Sequence, residues 1–214
     1  MALMSGNEPK TRTAYRIETE RLVLRCWSPA DAPVLRAALD ACATHLRPWI
    51  PFMKDEPRSL QQTALWLRGL RAAFDSGTML RYAVFDRGEE NLLGENMLMA
   101  RVGPGGLEIG YWTHKDATGH GFANEATCAM IRVAFDIEKA GRVEIMCVPE
   151  NRASASIPAR LHFTHEATLR KRAVDTEGVS RDLMVWSLFA EDYPSSPAAN
   201  LSYRAFDCMG EVID

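Results

Sequence analysis

The sequence predicts an α+β domain with a mixed, mostly antiparallel central sheet and helices on both of its faces. Strand-like runs at 80–86, 92–100 and 107–113 follow one another through short turns, as in an antiparallel meander. The third run then passes through a turn and a long amphipathic helix into another strand at 142–148, which makes one β-α-β crossover. The predicted order of elements is β-α-α-β-β-β-α-β-α-β-β.

Capping signals place two helices after the first strand. Residues 17–27 are predicted to form a strand, in which Leu22, Leu24 and Cys26 alternate with Arg21, Val23 and Arg25. Ser28 followed by Pro29 predicts a helix start, and this helix runs to about residue 43. Ser59 and Gln62 form a capping box, which predicts a second helix to about residue 75.

The remaining elements follow the crossover. Its helix ends at Gly141, and the strand after it leads into a short helix at 153–161. Pro158 is an unfavourable residue inside that helix, because it has no backbone N–H and its ring clashes with the preceding turn. Two strands at 164–170 and 181–188 complete the predicted domain.

Changes of composition divide the chain into three parts. A polar leader at 1–14 is expected to be flexible, a single domain occupies 15–189, and a C-terminal tail occupies 190–214. A cluster of Pro and Ser at 194–197 marks a linker at the start of the tail. Apolar side chains in the tail favour packing on a neighbouring surface or a dimer partner, and a loose tail is the alternative.

The composition excludes several classes of protein. A net charge of −3 over 214 residues provides no general attraction for nucleic acid or for an anionic membrane. No apolar run reaches the roughly 20 residues that span a bilayer, and the polar N-terminus lacks the apolar core of a secretory signal. We therefore expect a monomer or homodimer without a nucleic-acid or membrane partner.

The cysteines indicate a cytoplasmic protein. They are five, widely spread and without a Cys-x-x-Cys pair, which argues against a disulfide framework. The histidines show no metal-ligand spacing with them, so no metal is expected. Each cysteine is expected to be a small core residue: Cys26, Cys42, Cys128, Cys147 and Cys208.

Residues 116–126 carry the most informative motif of the chain. Gly119 and Gly121 lie between a strand and a long helix, where they permit a tight turn and close approach to a ligand. Free N–H groups and the positive end of the helix dipole favour a phosphate group there, with a plain helix-entry turn as the alternative. A P-loop is excluded because no Lys-Ser or Lys-Thr follows the glycines. A dinucleotide fingerprint is disfavoured because Asn124 replaces its third glycine. A pyrophosphate loop for coenzyme A is the third candidate, and the glycines alone do not decide between it and a plain turn.

Five motifs occur in order along the chain: I-E-T-E-R-L-V-L-R at 17–25, L-R-P-W at 46–49, E-I-G-Y-W at 108–112, G-H-G-F-A-N-E-A at 119–126 and V-P-E-N-R-A-S at 148–154. With them the chain resembles the GNAT superfamily of acyl-CoA N-acyltransferases, and within it the RimJ/RimL-like ribosomal-protein acetyltransferases, over residues 15–188. Asp116 departs from the Arg or Gln usual at its position. Pro158 and His162 depart from the usual helix that ends in Lys-Leu-Gly-Phe.

The resemblance implies the GNAT fold and acetyl-CoA as donor. In this family the strand before the glycines splays from the next strand, and the pantetheine arm pairs with the free backbone groups like an added strand. Tyr111, Trp112 and Thr113 occupy that place, and Asn151 would bond to the amide groups of the cofactor. Main-chain N–H groups of the turn would hold the pyrophosphate: Thr118, Gly119, His120, Gly121, Phe122, Ala123 and Asn124.

The resemblance also implies direct transfer of acetyl to a primary amine in a ternary complex. Glu108 is the candidate base, acting directly or through water, and a surface carboxylate is the alternative role. Ser154 would donate a proton or hydrogen bond to the leaving thiolate, or else it caps the helix start, and Tyr111 is the other candidate donor. Asn151 would take part in the same site, or else it is a turn residue.

The acceptor amine is expected beside the aromatic loop that follows the first helix. Trp49 and Phe52 would line its pocket, or else they anchor the core, and Asp55 with Glu56 would favour a cationic acceptor. The acceptor is a protein N-terminus, a small metabolite or an amine-bearing antibiotic, and these residues do not distinguish among them. The alternative function is a non-catalytic acyl-CoA sensor of the same fold, which the altered helix around Pro158 favours.

Overall fold

A computed structural model of the chain describes residues 13–213. Its centre is one sheet of ten strands in the order β10-β9-β1-β2-β3-β4-β5-β6-β8-β7. The strands are β1 Arg16–Glu18, β2 Leu22–Cys26, β3 Met79–Asp86, β4 Leu92–Met99, β5 Gly106–Thr113, β6 Arg142–Cys147, β7 Thr164–Val174, β8 Ser180–Phe189, β9 Arg204–Phe206 and β10 Val212–Ile213. The predicted leader lies, except for its last two residues, outside the described part.

Five α-helices accompany the sheet in the described chain. They are α1 Ala32–Ala41, α2 Ala43–Leu46, α3 Leu60–Asp75, α4 Phe122–Arg132 and α5 Arg152–Arg160. A π-helical turn, Val133–Ile137, continues α4. The predicted capping box of Ser59 and Gln62 opens α3, and that of Ser28 and Asp31 opens the turn that leads into α1.

The sheet is mixed and mostly antiparallel, as predicted. Between described strands only β5 and β6 pair in parallel, and α4 makes the crossover between them. Their pairing runs from Gly106 with Arg142 to Ile109 with Ile145 and then stops, although both strands continue. The two strands therefore splay apart beyond Ile109, as the family resemblance implies.

Helices cover both faces of the sheet, and each face has its own apolar core. One core joins α4 and α5 to inward residues of β2, β3 and β6. The other packs α1, α2 and α3 against the opposite face through residues such as Trp27, Phe85 and Trp112. Successive side chains of a strand point to opposite faces of the sheet, and both faces are covered here. Residues 80–85 of β3 are therefore all buried, which explains its high apolar content.

The predicted first strand is wrong in one respect, because residues 17–27 form two strands. A turn separates β1 from β2, in which the backbone N–H of Thr19 bonds to the carbonyl of Leu22. The Thr19 hydroxyl also accepts the N–H of Leu22, at 3.1 Å. The polar run at 18–21 interrupts the alternation of apolar side chains, and this interruption is the local signal of the turn.

The segment predicted as a C-terminal tail adds two strands to the sheet. β9 pairs with β1 and β10 pairs with β9, both antiparallel. Before them, Ser196 and Ala198 are fully buried, and the Ser196 hydroxyl donates to the carbonyl of Leu161. Residues 190–213 are therefore packed on this domain itself.

Four of the five cysteines are buried, as predicted, but Cys208 is exposed in the turn between β9 and β10. All five carry free thiols in the structure. The prediction for Cys208 is wrong because the turn that carries it extends beyond the core. None of the helices between residues 13 and 213 combines the length and hydropathy that crossing a membrane requires.

Candidate active site

The splay leaves unpaired backbone groups next to the glycine turn. β5 continues through Gly110 to Thr113 without a partner on its β6 side. The turn itself, residues 118–121, is called the glycine loop below. Gly119 and Gly121 adopt φ of 79° and 81°, which L-residues with a side chain rarely adopt. A Cβ at Gly119 would meet no atom within 4 Å, so the loop faces open space.

The start of α4 offers free N–H donors. Gly121 is its N-cap and no side chain caps the helix, so its first N–H groups have no described acceptor. The carboxylate of Glu125 in the first turn is occupied, because it accepts from the Thr19 hydroxyl at 2.6 Å and pairs with Arg21 at 2.6 Å. The helix end therefore keeps its preference for an external anion.

Arg21 braces the glycine loop, and sequence reasoning did not assign it a role. Its guanidinium donates to the carbonyl of His120 at 3.0 Å and stacks over the Phe122 ring. The side chain is 43% exposed, so it also contributes a positive charge beside the loop. The 104-residue separation between Arg21 and Glu125 hides this contact from any local pattern.

A large cavity opens at the splay and extends over one face of the sheet. Its volume is about 1100 Å³, and it is called the chamber below. The wall contains the splayed ends of β5 and β6 and the start of α5, and the opposite side contains the aromatic loop at 47–52. This is the size and shape of a small-molecule site.

Seven of the residues predicted for the site line the chamber together: Trp49, Phe52, Glu108, Tyr111, Trp112, Asn151 and Ser154. Thr113 and the predicted pyrophosphate residues 118–124 are outside its lining, beyond the end of β5. Asp55 and Glu56 also lie outside it, and the carboxylate of Glu56 is 2% exposed and held by Arg36 and Arg58. The expectation that Glu56 attracts the acceptor is therefore wrong.

Glu108 is a buried carboxylate with one cationic partner. The residue is 5% exposed, which excludes the surface role. Both of its oxygens accept from Arg101, Oε2 from Nε and Oε1 from Nη2, each at 2.6 Å. The Arg101 side chain is 63% exposed and also lines the chamber, so Arg101 covers Glu108 from the solvent side.

Tyr111 and Ser154 bring two hydroxyl groups together on the chamber wall. Tyr111 Oη lies 3.1 Å from Ser154 Oγ and donates to the Ser154 carbonyl at 3.1 Å. Burial raises the pKa of Tyr111 above its ordinary value, and the bond to Ser154 only partly offsets this. Tyr111 therefore stays protonated and able to donate.

Asn151 and Cys147 complete this wall. Asn151 is the N-cap of α5 and its side-chain oxygen accepts the N–H of Ser154, so Asn151 rather than Ser154 has the capping role. The cap uses the amide oxygen of Asn151 and leaves its amide N–H₂ for a ligand. Burial raises the pKa of the Cys147 thiol, which keeps it uncharged beside Ser154.

A buried ion pair joins the strand at the splay to the aromatic loop. Glu95 accepts from the indole N–H of Trp112 at 3.0 Å and from that of Trp27 at 2.7 Å, and it pairs with Arg81. The Arg81 guanidinium lies 5.7 Å from the centre of the Phe52 ring. The side chains of Phe52 and Trp112 are therefore held in place, and Trp49, at 39% exposure, is left free at the rim.

The hairpin of β7 and β8 forms a further part of the chamber that the sequence did not indicate. Its tip contributes Asp175, Thr176 and Glu177 to the lining. The Thr176 hydroxyl donates to the carbonyl of Arg47 at 3.0 Å, so the hairpin meets the aromatic loop. The two segments are 129 residues apart in sequence, which explains why no local signal reveals the contact.

Comparison with protein families identifies the domain. A model of the acetyltransferase (GNAT) domain matches residues 21–164 of the chain. YdaF of Bacillus subtilis strain 168, provisionally named a ribosomal N-acetyltransferase, is 25% identical over 181 residues. That alignment covers 81% of this chain and 94% of YdaF.

Solved structures with a coenzyme have the same fold. RimL, a ribosomal L7/L12 alpha-N-protein acetyltransferase in complex with coenzyme A, has a TM-score of 0.73 at 20% identity, covering 80% of this chain and 95% of RimL. MccE, the microcin C7 self immunity acetyltransferase in complex with acetyl-CoA and AMP, has a TM-score of 0.73 at 18% identity. The alignment covers 79% of this chain and 93% of MccE. At identities of 20% and 18%, these comparisons show a shared fold.

Proposed function

The chain belongs to the GNAT family of acetyltransferases, and we propose that it acetylates the α-amino group of a protein or peptide N-terminus. As a member of this family it transfers acetyl from acetyl-CoA to an amine. The finer assignment rests on one observation above all. Glu108 of β5, together with Asn151 and Ser154 at the start of α5, lines one chamber that opens at the splay. A non-catalytic sensor would need no such convergence of groups for proton transfer, and it is not favoured.

The residues at the splay and the glycine loop fit acetyl-CoA. The uncapped start of α4 and the left-handed glycines suit a pyrophosphate, and the unpaired edge of β5 suits an extended amide chain. We propose Tyr111, Trp112 and Thr113 for the pantetheine arm, and residues 118–124 for the pyrophosphate. When bound, acetyl-CoA supplies the acetyl thioester and a sulfur leaving group.

An α-amino group is the acceptor that this site is equipped to deprotonate. Removing its proton at pH 7 costs about 1 kcal/mol, whereas a lysine side chain costs about 4.6 kcal/mol. Glu108, which is held by Arg101, supplies a carboxylate as proton acceptor for the smaller of these two costs. Most of the rate enhancement would then come from positioning, worth about 7–11 kcal/mol in well-aligned model reactions.

Each proton in the proposed reaction has a holder in the chain. Glu108 takes the proton of the acceptor ammonium at a carboxylate oxygen, directly or through water, and this frees the nitrogen lone pair for attack. Ser154 or Tyr111 would give its hydroxyl proton to the sulfur that leaves, and the second proton that the nitrogen loses as the amide forms would replace it. The aromatic rim at Trp49 and Phe52 would contact the acceptor residue next to the amine.

A small molecule with an α-amino group is the second candidate acceptor. The chamber, at about 1100 Å³, is large enough for a compact ligand beside the reactive end of a cofactor. The energy of deprotonation is the same for both candidates, so only the acceptor itself separates them.

The test is a single-turnover assay with matched acceptors, read by mass spectrometry. We expect acetyl gain on peptides with a free N-terminus and an internal Lys, and none on the same peptides with a blocked N-terminus. The Glu108→Gln variant should lose about 100-fold in kcat while its affinity for acetyl-CoA is kept. Glu144→Gln is the matched control, since Glu144 pairs with Glu108 in the strand register but does not line the chamber.

Two outcomes of this assay would decide against the proposal. Acetylation of the internal Lys in the blocked peptides would contradict the α-amino assignment. Transfer to small amines alone would establish the second candidate. We also propose a cytoplasmic monomer or homodimer without a nucleic-acid partner, which sedimentation of the pure protein and retention on immobilised DNA and RNA would test.

A further inference from the structure

Pro158 lies inside α5, where it leaves one helical carbonyl without its donor. In an α-helix the N–H of residue i bonds to the carbonyl of residue i−4, so an N–H at position 158 would bond to the carbonyl of Ser154. Proline has no N–H, and its ring pushes that carbonyl outward. The carbonyl of Ser154 therefore needs another partner, because Pro158 is buried and Ser154 is only half-exposed.

The hydroxyl of Tyr111 provides that partner from the neighbouring strand. It donates to the Ser154 carbonyl at 3.1 Å across the chamber wall. A tyrosine hydroxyl has one proton, and this proton is directed to the carbonyl. In the 3.1 Å contact between the two hydroxyls, Ser154 Oγ is then the donor and Tyr111 Oη the acceptor.

From this arrangement we infer that Pro158 is a positioning residue for the hydroxyl pair of Tyr111 and Ser154. By removing the helical donor, Pro158 reserves the Ser154 carbonyl for the Tyr111 proton. Ser154 Oγ, which donates to Tyr111 Oη at rest, is then the hydroxyl that turns its proton to the leaving sulfur. Pro158 does not line the chamber, and it acts only through these two residues. The inference rests on the proposed role of the pair at the leaving sulfur.

The first test needs no substrate and measures unfolding of the protein alone. Tyr111→Phe should lower the urea midpoint, because it leaves the Ser154 carbonyl without a donor. In the Pro158→Ala background the new N–H of residue 158 donates to the Ser154 carbonyl. The same Tyr111→Phe change should therefore lower the urea midpoint much less. Pro158→Ala alone should raise the midpoint, since proline is the least favourable residue inside a helix. If Tyr111→Phe lowers the urea midpoint equally in the wild-type and Pro158→Ala backgrounds, the inference is overturned.

The second test measures catalysis in the same four proteins. Pro158→Ala should lower kcat about tenfold, the effect of one misdirected hydrogen bond, while KM for acetyl-CoA changes little. In the Tyr111→Phe background, Pro158→Ala should have no further effect on kcat, because the hydroxyl through which it acts is gone. A gain in stability together with a loss of kcat cannot come from simple damage to the helix.

The two tests separate this inference from the proposed function. If the protein acetylates no amine, the proposed function fails, while the unfolding cycle still decides whether Pro158 controls the Tyr111 bond. If transfer is observed and Pro158→Ala keeps the wild-type kcat, the positioning role is overturned and the proposed function stands.

Discussion

At the scale of single residues, the pairing of Glu108 with Arg101 determines how an acceptor can reach the candidate base. A buried carboxylate is costly without a cation, and Arg101 provides that cation from an exposed position. Among the described residues Arg101 donates hydrogen bonds to Glu108 alone. A protonated amine that enters the chamber can therefore replace the guanidinium with little rearrangement, one cation for another.

The Arg101→Gln variant tests this exchange. We expect KM for the acceptor to fall about two- to fivefold, because the amine no longer competes with an exposed guanidinium worth up to about 1 kcal/mol. The midpoint of thermal unfolding should fall at the same time, since Glu108 loses its partner. Steady-state kinetics over a range of acceptor concentrations measures the first effect.

Arg142→Gln is the matched control for Arg101→Gln. Arg142 pairs with Glu144 at 2.6 Å on the adjacent strand and does not line the chamber. Its loss should leave KM for the acceptor unchanged. A higher acceptor KM in Arg101→Gln would mean that the guanidinium helps to bind the acceptor, contrary to the exchange.

At the scale of elements, the C-terminal segment is tied to α4 through the π-helical turn. Asp136 in this turn accepts from Tyr193 at 3.2 Å, from Tyr203 at 3.3 Å and from Arg132 at 2.6 Å. Arg132 in turn donates to the carbonyls of Ala199 and Leu201. Arg132 at the end of α4 and Asp136 in the π turn thus bind both the side chains and the backbone of the C-terminal segment.

Asp136→Ala should destabilise the protein by about 1–3 kcal/mol, because three donors lose a partly buried acceptor. Urea unfolding at neutral pH measures the change in the free energy of unfolding. Asp40→Ala is a suitable control, since Asp40 makes the same i,i+4 pair with Arg36 but its side chain is 59% exposed. We expect the control to cost no more than about 0.5 kcal/mol. Equal costs for both variants would show that Asp136 contributes only its helical ion pair.

At the scale of the whole molecule, packing on both faces of the sheet buries Tyr82 and partly shields the other four tyrosines from water. The chain has five tyrosines, and burial is the main cause that raises the pKa of each. The pKa of Tyr15, which also donates to Asp75, rises to about 12. Each phenol is thus held in its protonated form by the fold.

The fold should therefore become less stable at alkaline pH. Because the folded pKa values lie above the unfolded value of about 10, their contribution to stability is fully present below pH 10. For Tyr15 that contribution is lost as the pH rises from about 10 to about 12. Tyrosinate absorbance of the folded protein should stay flat near pH 10, while the protein in urea titrates there. A folded tyrosine with a midpoint near 10 would contradict the expectation.

Local features of the sequence were enough for the elements and for part of the site. The capping boxes at Ser28 and Ser59, the glycine loop and the meander depend on neighbours a few residues away, so they can be read in order. Family motifs named seven candidate residues that line one chamber in the structure, and the roles of these residues stay predictions. The turn at Thr19 was missed because the strand predicted at 17–27 includes the polar run at 18–21. The exposure of Cys208 was missed because composition does not record what a turn faces.

By itself, the sequence determined an α+β domain of the GNAT family with acetyl-CoA as donor, since these follow from local patterns in a given order. Only the tertiary structure decided what surrounds each candidate residue. Arg21 meets Glu125, Thr176 meets Arg47 and Tyr111 meets the Ser154 carbonyl across 104, 129 and 43 residues. Such pairs depend on strand register and on the packing of distant segments, which no local preference of the chain specifies.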